Sequence, residues 1–266
     1  MGVPGLFSYV RSNYADVLTE LKEKTINGKS KVDVLKFPVD VLCYDLNGII
    51  HQACQKVYEY GKYARLAYPK GVKVPLYTDP KNKARCFSEI WRLIEEVFDT
   101  VQPKKRVIIC IDGVAGKAKM MQQRSRRYRG GIEREEKIKT GELKKYAGKL
   151  FDGASITPGT EFLSDLSKYI HSQIKVYMSG KWSYLEDIIF SDEKVPGEGE
   201  HGLISYIRHN VDYKNLYSNP SDSYCIHGSD ADLVMLSLGL HLPKMYILRD
   251  SDKPQYQKYH VINIHT

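Results

Sequence analysis

The chain has 266 residues, 42% of them hydrophobic, which is enough to bury a full core as one large domain or two small ones. No apolar run approaches the roughly 20 residues that span a bilayer. The opening Met1-Gly2-Val3-Pro4-Gly5-Leu6 has neither the layout of a signal peptide nor, with Leu at position 6, a myristoylation pattern. A net charge of +8 points toward an anionic partner, and five cysteines without a C-x-x-C point to reduced core residues in an intracellular protein.

In chain order, apolar periodicity predicts a strand at 39–45, a helix at 47–60, a helix at 86–101 and a strand at 106–112. A long basic helix follows at 117–139, then a helix at 160–172, strands at 173–178 and 186–190, and a helix at 199–209. A strand at 223–228, a helix at 231–239 and a strand at 245–249 complete the series. Residues 61–83 and 140–158 read as long loops, the second ending in the helix-start signal Thr157-Pro158-Gly159-Thr160. Alternating strands and helices imply an α/β fold, doubly wound, with a mostly parallel central sheet flanked by helices.

Six carboxylates fall in four short segments: Asp45, Asp112, the pair Glu198 and Glu200, and the pair Asp230 and Asp232. Asp45, Asp112 and Asp230 each follow an apolar run of strand character. In a parallel sheet the carboxyl ends of neighbouring strands meet at one crevice. Carboxylates gathered there repel one another unless hard cations sit between them, and Mg²⁺ favours such oxygen ligands. Each segment alone also reads as a helix cap or a first-turn acid. Four such segments at one sheet edge favour a shared metal site of the two-metal phosphodiesterase kind.

From Lys117 to Arg129 there are six basic residues and no acidic one. On a helix, Lys119, Gln123, Arg126 and Arg127 share a face through i, i+4, i+7 and i+8 spacing. Three cations and an amide on one face suit a phosphate, which Arg can bind bidentately. The alternative reading is a solvated basic face. The start of the run five residues after Asp112 favours the first.

These segments carry a resemblance. Met1-Gly2-Val3-Pro4, Asp45-Leu46-Asn47-Gly48-Ile49-Ile50-His51 and Asp112-Gly113-Val114-Ala115, running on through Gln122 to Arg129, are similar to motifs of the Xrn-type 5′→3′ exoribonucleases, relatives of the flap endonuclease and PIN-like proteins. Ile156–Phe162, Pro196–His201 and Asp230–Leu236 continue the pattern in the family's order. The resemblance covers most of the chain as that family's N-terminal nuclease domain, residues 1–266. It implies that the six carboxylates are catalytic and bind two Mg²⁺ ions about 4 Å apart, with Mn²⁺ as a substitute. It further implies that Lys119, Gln123, Arg126 and Arg127 hold the 5′-monophosphate of single-stranded RNA, and that the first base stacks on His51. Residence in the cytoplasm follows from the family, a nuclear form staying open.

The family's catalytic region continues further and supplies a seventh carboxylate from a Gly-Asn-Asp-Phe motif. Here only Asp250 and Asp252 follow Asp232. The expectation is therefore an N-terminal catalytic portion, one half of a site completed by a second chain, or a reduced nuclease. Two further readings stand beside the exoribonuclease: a flap or 5′ nuclease acting on DNA, and a non-catalytic RNA-binding protein.

Overall fold

Strands rich in Val, Ile, Leu and Cys build the centre of the sheet, as expected where both faces are covered. In a computed structural model, residues 5–26, 29–65, 68, 72–139, 146, 148–214, 222–251 and 258–264 are described. The Met1–Pro4 motif lies outside them, as do the side chains at 25–26, 29–31, 126 and 133–139. The five parallel strands are β4 (Val41–Asp45), β5 (Arg106–Cys110), β6 (Asp187–Ser191), β7 (Tyr224–His227) and β8 (Met245–Asp250). Antiparallel β9 (Tyr259–Asn263) and β1 (Leu18–Leu21) extend one edge, giving the order β1-β9-β8-β7-β4-β5-β6. A separate two-stranded ribbon pairs β2 (Glu23–Ile26) with β3 (Lys29–Val32).

Alternation along the strands divides the core into two layers. Leu42, Tyr44, Val107 and Ile109 face one side, under α2 (Asn47–Val57), α3 (Pro80–Val101) and α5 (Glu161–Met178). Val41, Cys43, Ile108 and Cys110 face the other, under α6 (Gly199–Asn210), α7 (Asp232–Leu238) and Phe7 of α1 (Leu6–Asn13). The basic helix α4 (Lys117–Lys139) stands apart, with no buried residue among its described side chains. All five cysteines are buried and free, Cys54 and Cys86 meeting through a 3.4 Å Sγ–Sγ contact. No helix is long and apolar enough to cross a membrane among the described residues.

The α/β sheet is the one expected, with local corrections. The strand predicted at 173–178 is the end of α5. Ile174, Val176 and Met178 alternate, but Leu166, Ile170 and Ile174 carry a stronger helical stripe, which buries them and leaves Val176 in solvent. Helix α3 starts at Pro80 rather than 86, inside the predicted loop 61–83, because Asp79 caps it by accepting the Lys81 N–H at 2.9 Å and Pro80 occupies its first turn. Helix α1, strand β1, the β2–β3 ribbon and strand β9 were not expected. The second predicted loop, 140–158, lies partly outside the described residues.

Candidate metal centre

The parallel register lines up the carboxyl ends of the three middle strands. Asp45 pairs with Cys110 across β4 and β5, and Tyr44 with His227 across β4 and β7. Asp45 therefore ends the central strand, with Asp112 two residues beyond β5 and Asp230 three beyond β7. Helix α6 approaches the same edge by its N-terminus, carrying Glu198 at the cap and Glu200 in the first turn. Asp232 opens α7.

Two backbone hydrogen bonds zip the loop after β5 to the loop before α6. Gly113 N–H donates to the Gly197 carbonyl at 2.8 Å, and Gly197 N–H to the Val114 carbonyl at 3.0 Å. Gly197 adopts φ 116°, which side chains avoid. Gly113 is packed so closely that a β-carbon would sit 1.7 Å from the Val195 carbonyl oxygen. This pairing delivers Asp112 to α6, where its Oδ1 accepts the Gly199 N–H at 2.6 Å. The capping role considered for Asp112 is thus real, but it caps α6 rather than the helix that follows it in sequence. The Asn47 side chain adds a long contact, its Oδ1 facing the Asp112 N–H at 3.5 Å.

Oxygens of Asp45, Glu200 and Asp230 lie within 4.8 Å of one another. Asp45 and Glu200 are buried, each with one carboxylate oxygen, Asp45 Oδ1 and Glu200 Oε2, that finds no hydrogen-bond partner among the described residues. Desolvation first, then the charges of Asp112, Asp230 and Glu200, push Asp45 up to about 8. Desolvation, then Asp230, Glu198 and Asp232, push Glu200 up to about 7. Asp112 is raised by burial, in part offset by the Gly199 N–H and the Asn47 side chain. All six carboxylates therefore belong to one electrostatically linked set. Orphaned, mutually repelling oxygens are what a hard divalent cation satisfies, so this all-oxygen donor set fits such an ion.

One cation enters this set from α4. Lys119 Nζ lies 2.8 Å from Glu198 Oε2. Further along the same face, Arg127 Nη2 donates to Gln123 Oε1 at 3.4 Å. The Arg126 side chain lies outside the described residues. His51 is exposed on α2, one turn beyond Asn47, so it shares the helix face that borders Asp112. Arg249, which the sequence did not single out, braces the Asp230 loop by donating to the Ser229 carbonyl while its guanidinium stacks 4.6 Å above the Phe7 ring. Asn47 and the packed glycines were missed too. Their signal was the glycine spacing in Pro196-Gly197-Glu198-Gly199 and the Asn two residues after Asp45.

Comparison with known proteins agrees with this fold. A family model described as XRN 5′-3′ exonuclease N-terminus matches residues 1–251. The chain is 34% identical to the 5′-3′ exoribonuclease 2 of Gallus gallus over 97% of its own length and 28% of that protein. It is 36% identical to the 5′-3′ exoribonuclease 1 of Saccharomyces cerevisiae over 94% of its own length and 15% of the relative. The Drosophila melanogaster 5′-3′ exoribonuclease 2 homolog is 32% identical over 96% of the chain and 28% of the relative. The chain thus spans less than a third of the length of these relatives. With a family match across nearly all of the sequence and a mostly parallel, helix-flanked sheet beneath it, the chain belongs to the XRN 5′-3′ exonuclease N-terminus family.

Proposed function

We propose that this chain is the nuclease portion of a metal-dependent 5′→3′ exoribonuclease that removes nucleotides from single-stranded RNA bearing a 5′-monophosphate. The observation that carries this reading is the pair of buried, unpartnered carboxylate oxygens, Asp45 Oδ1 and Glu200 Oε2, set among the other acids at the sheet edge. The names of the relatives support the substrate class. Asp45, Asp112, Glu198, Glu200, Asp230 and Asp232 would hold two Mg²⁺ ions, or Mn²⁺ in their place. The chemistry such ions would supply there is activation of a water and stabilisation of the leaving 3′-oxygen of a phosphodiester.

The protein's own residues supply the rest. The zipped loops fix Asp112 against α6, and Arg249 fixes the backbone ahead of Asp230. Lys119, Gln123, Arg126 and Arg127 would hold the 5′-phosphate along α4, and His51 would offer its ring to the first base. Fixing the end of the strand in this way makes the first phosphodiester the one presented to the carboxylates.

The test is incubation of the chain with single-stranded RNA carrying a 5′-monophosphate or a 5′-hydroxyl, in Mg²⁺ or in chelator. Mononucleotides should appear from the phosphorylated RNA in Mg²⁺ alone, and Asp45→Asn should abolish them. Equal release from both ends would remove the 5′-monophosphate assignment. Binding of phosphorylated RNA without release would mean that the site needs the segments its relatives carry beyond this region. A preference for flapped DNA over RNA would overturn the substrate class.

A further inference from the structure

We propose that Lys119 couples the two parts of the site: it neutralises Glu198 in the metal-free protein and is given over to the 5′-phosphate when a divalent ion takes Glu198, so that ion and phosphate bind cooperatively. This rests on the metal centre and phosphate site proposed above and adds an energetic link between them.

The geometry places Lys119 at the junction. It lies in the first turn of α4, and its ammonium crosses to the N-cap of α6, 2.8 Å from Glu198 Oε2. The Glu198 side chain makes no capping hydrogen bond of its own, while Asp112 accepts the Gly199 N–H. Lys119 also feels Glu200 and Asp112, and its pKa is raised, first by the Glu198 hydrogen bond. On its other side it shares a helix face with Gln123 and Arg127. A lysine has a flexible four-carbon stem and three rotatable donors, so it can serve either neighbour.

The pair is partly open, with side-chain exposures of 32% for Lys119 and 17% for Glu198. A contact of this kind contributes little to stability and breaks easily. Its effect is felt when an ion arrives. A divalent cation beside Glu198 is repelled by the Lys119 ammonium, which lowers the affinity for the ion. A phosphate lying against Lys119 removes that penalty. Linkage then requires that the ion raise phosphate affinity by the same factor. A 5′-hydroxyl end supplies no such relief, so end selection acts partly through metal loading.

The test is a Mn²⁺ titration of the 266-residue chain, followed by the electron paramagnetic resonance signal of the free ion. It is run with adenosine 5′-monophosphate, with adenosine and with neither, the ion–nucleotide complex being measured separately without protein. In the wild-type chain the monophosphate should tighten Mn²⁺ binding within the roughly 5- to 150-fold range usual for coupled sites, while adenosine should not. Lys119→Met should bind Mn²⁺ more tightly than wild type when no nucleotide is present and lose the monophosphate effect, whereas Lys119→Arg should keep it. Lys119→Gln should match the Met variant and guards against misfolding of either. Unchanged or weaker Mn²⁺ binding by both neutral variants, with the monophosphate effect intact, overturns the coupling. Mn²⁺ binding that survives Asp45→Asn instead overturns the metal centre itself, a result distinct from failure of the coupling alone.

Discussion

Asp45 is a carboxylate at the end of a fully buried strand, where water is excluded and three other acids crowd it. Its proton is held up to about 8 and that of Glu200 up to about 7, both above their values in an unfolded chain. The metal-free fold therefore binds more protons than the unfolded chain, and stability present at low pH is lost as pH rises through 7 and 8. His227 is buried with its pKa lowered, an opposite effect confined to pH below about 6.5. Thermal melting in chelator should thus show a fall in midpoint between pH 6.5 and 8.5, and Mg²⁺ should reverse it by using the ionised oxygens. A flat or rising midpoint in chelator would contradict the crowding. Asp45→Asn should melt higher than wild type at pH 8 in chelator, by about 2–4 °C for each kcal/mol of relieved repulsion. The gathering of acids at one sheet edge was legible from the sequence because each of the four segments carries its own local signal, a strand end or a Gly-flanked pair. The Lys119–Glu198 contact was not, because a solvated lysine and a contacting lysine look alike in sequence.

Elements carry these residues to one place, and the zipped loops around Gly113 and Gly197 are the joint. Gly113→Ala pushes a β-carbon into the Val195 carbonyl, which is backbone and cannot step aside. It should cost about 1–3 kcal/mol in urea denaturation and weaken Mn²⁺ binding, because Asp112 loses its seat on α6. Gly116→Ala, with nothing within 4 Å of the added carbon, should leave both unchanged. Equal behaviour of the two variants would show that the loop pairing does not seat Asp112. The sequence announced the helix start at Asp79-Pro80 plainly, yet the neighbouring Lys-, Tyr- and Gly-rich stretch masked it. At 173–178 a short two-residue alternation competed with a longer helical stripe, and the stripe won because it continued the face already buried at Leu166 and Ile170. The pairing of Gly113 with Gly197 could not be read ahead, since backbone hydrogen bonds between distant loops leave no periodic trace.

For the whole molecule, the net charge of +8 is unevenly placed, with a basic helix standing off a sheet whose edge is acidic. On the proposed reading, binding of single-stranded RNA should weaken linearly in log affinity against log salt. Arg127→Ala should reduce that slope by about 0.7, the value for one phosphate contact on a single strand. An unchanged slope would place the RNA elsewhere. The parallel centre of the sheet was legible because each of its strands carries an apolar run, such as Val107–Cys110 and Ile188–Phe190. The antiparallel strands β1 and β9 were not, because Leu18–Leu21 is short and half polar and Tyr259–Asn263 follows a polar stretch that hides it. The order of strands has a consequence in time. Strand β4 sits between β5, made soon after it, and β7, made much later. On the proposed reading no early stretch of the chain holds enough acids to grip an ion. The molecule becomes armed only when β7 docks beside β4 and brings in Asp230. A growing chain on the ribosome, or one cut before Tyr224, would then leave nearby RNA intact.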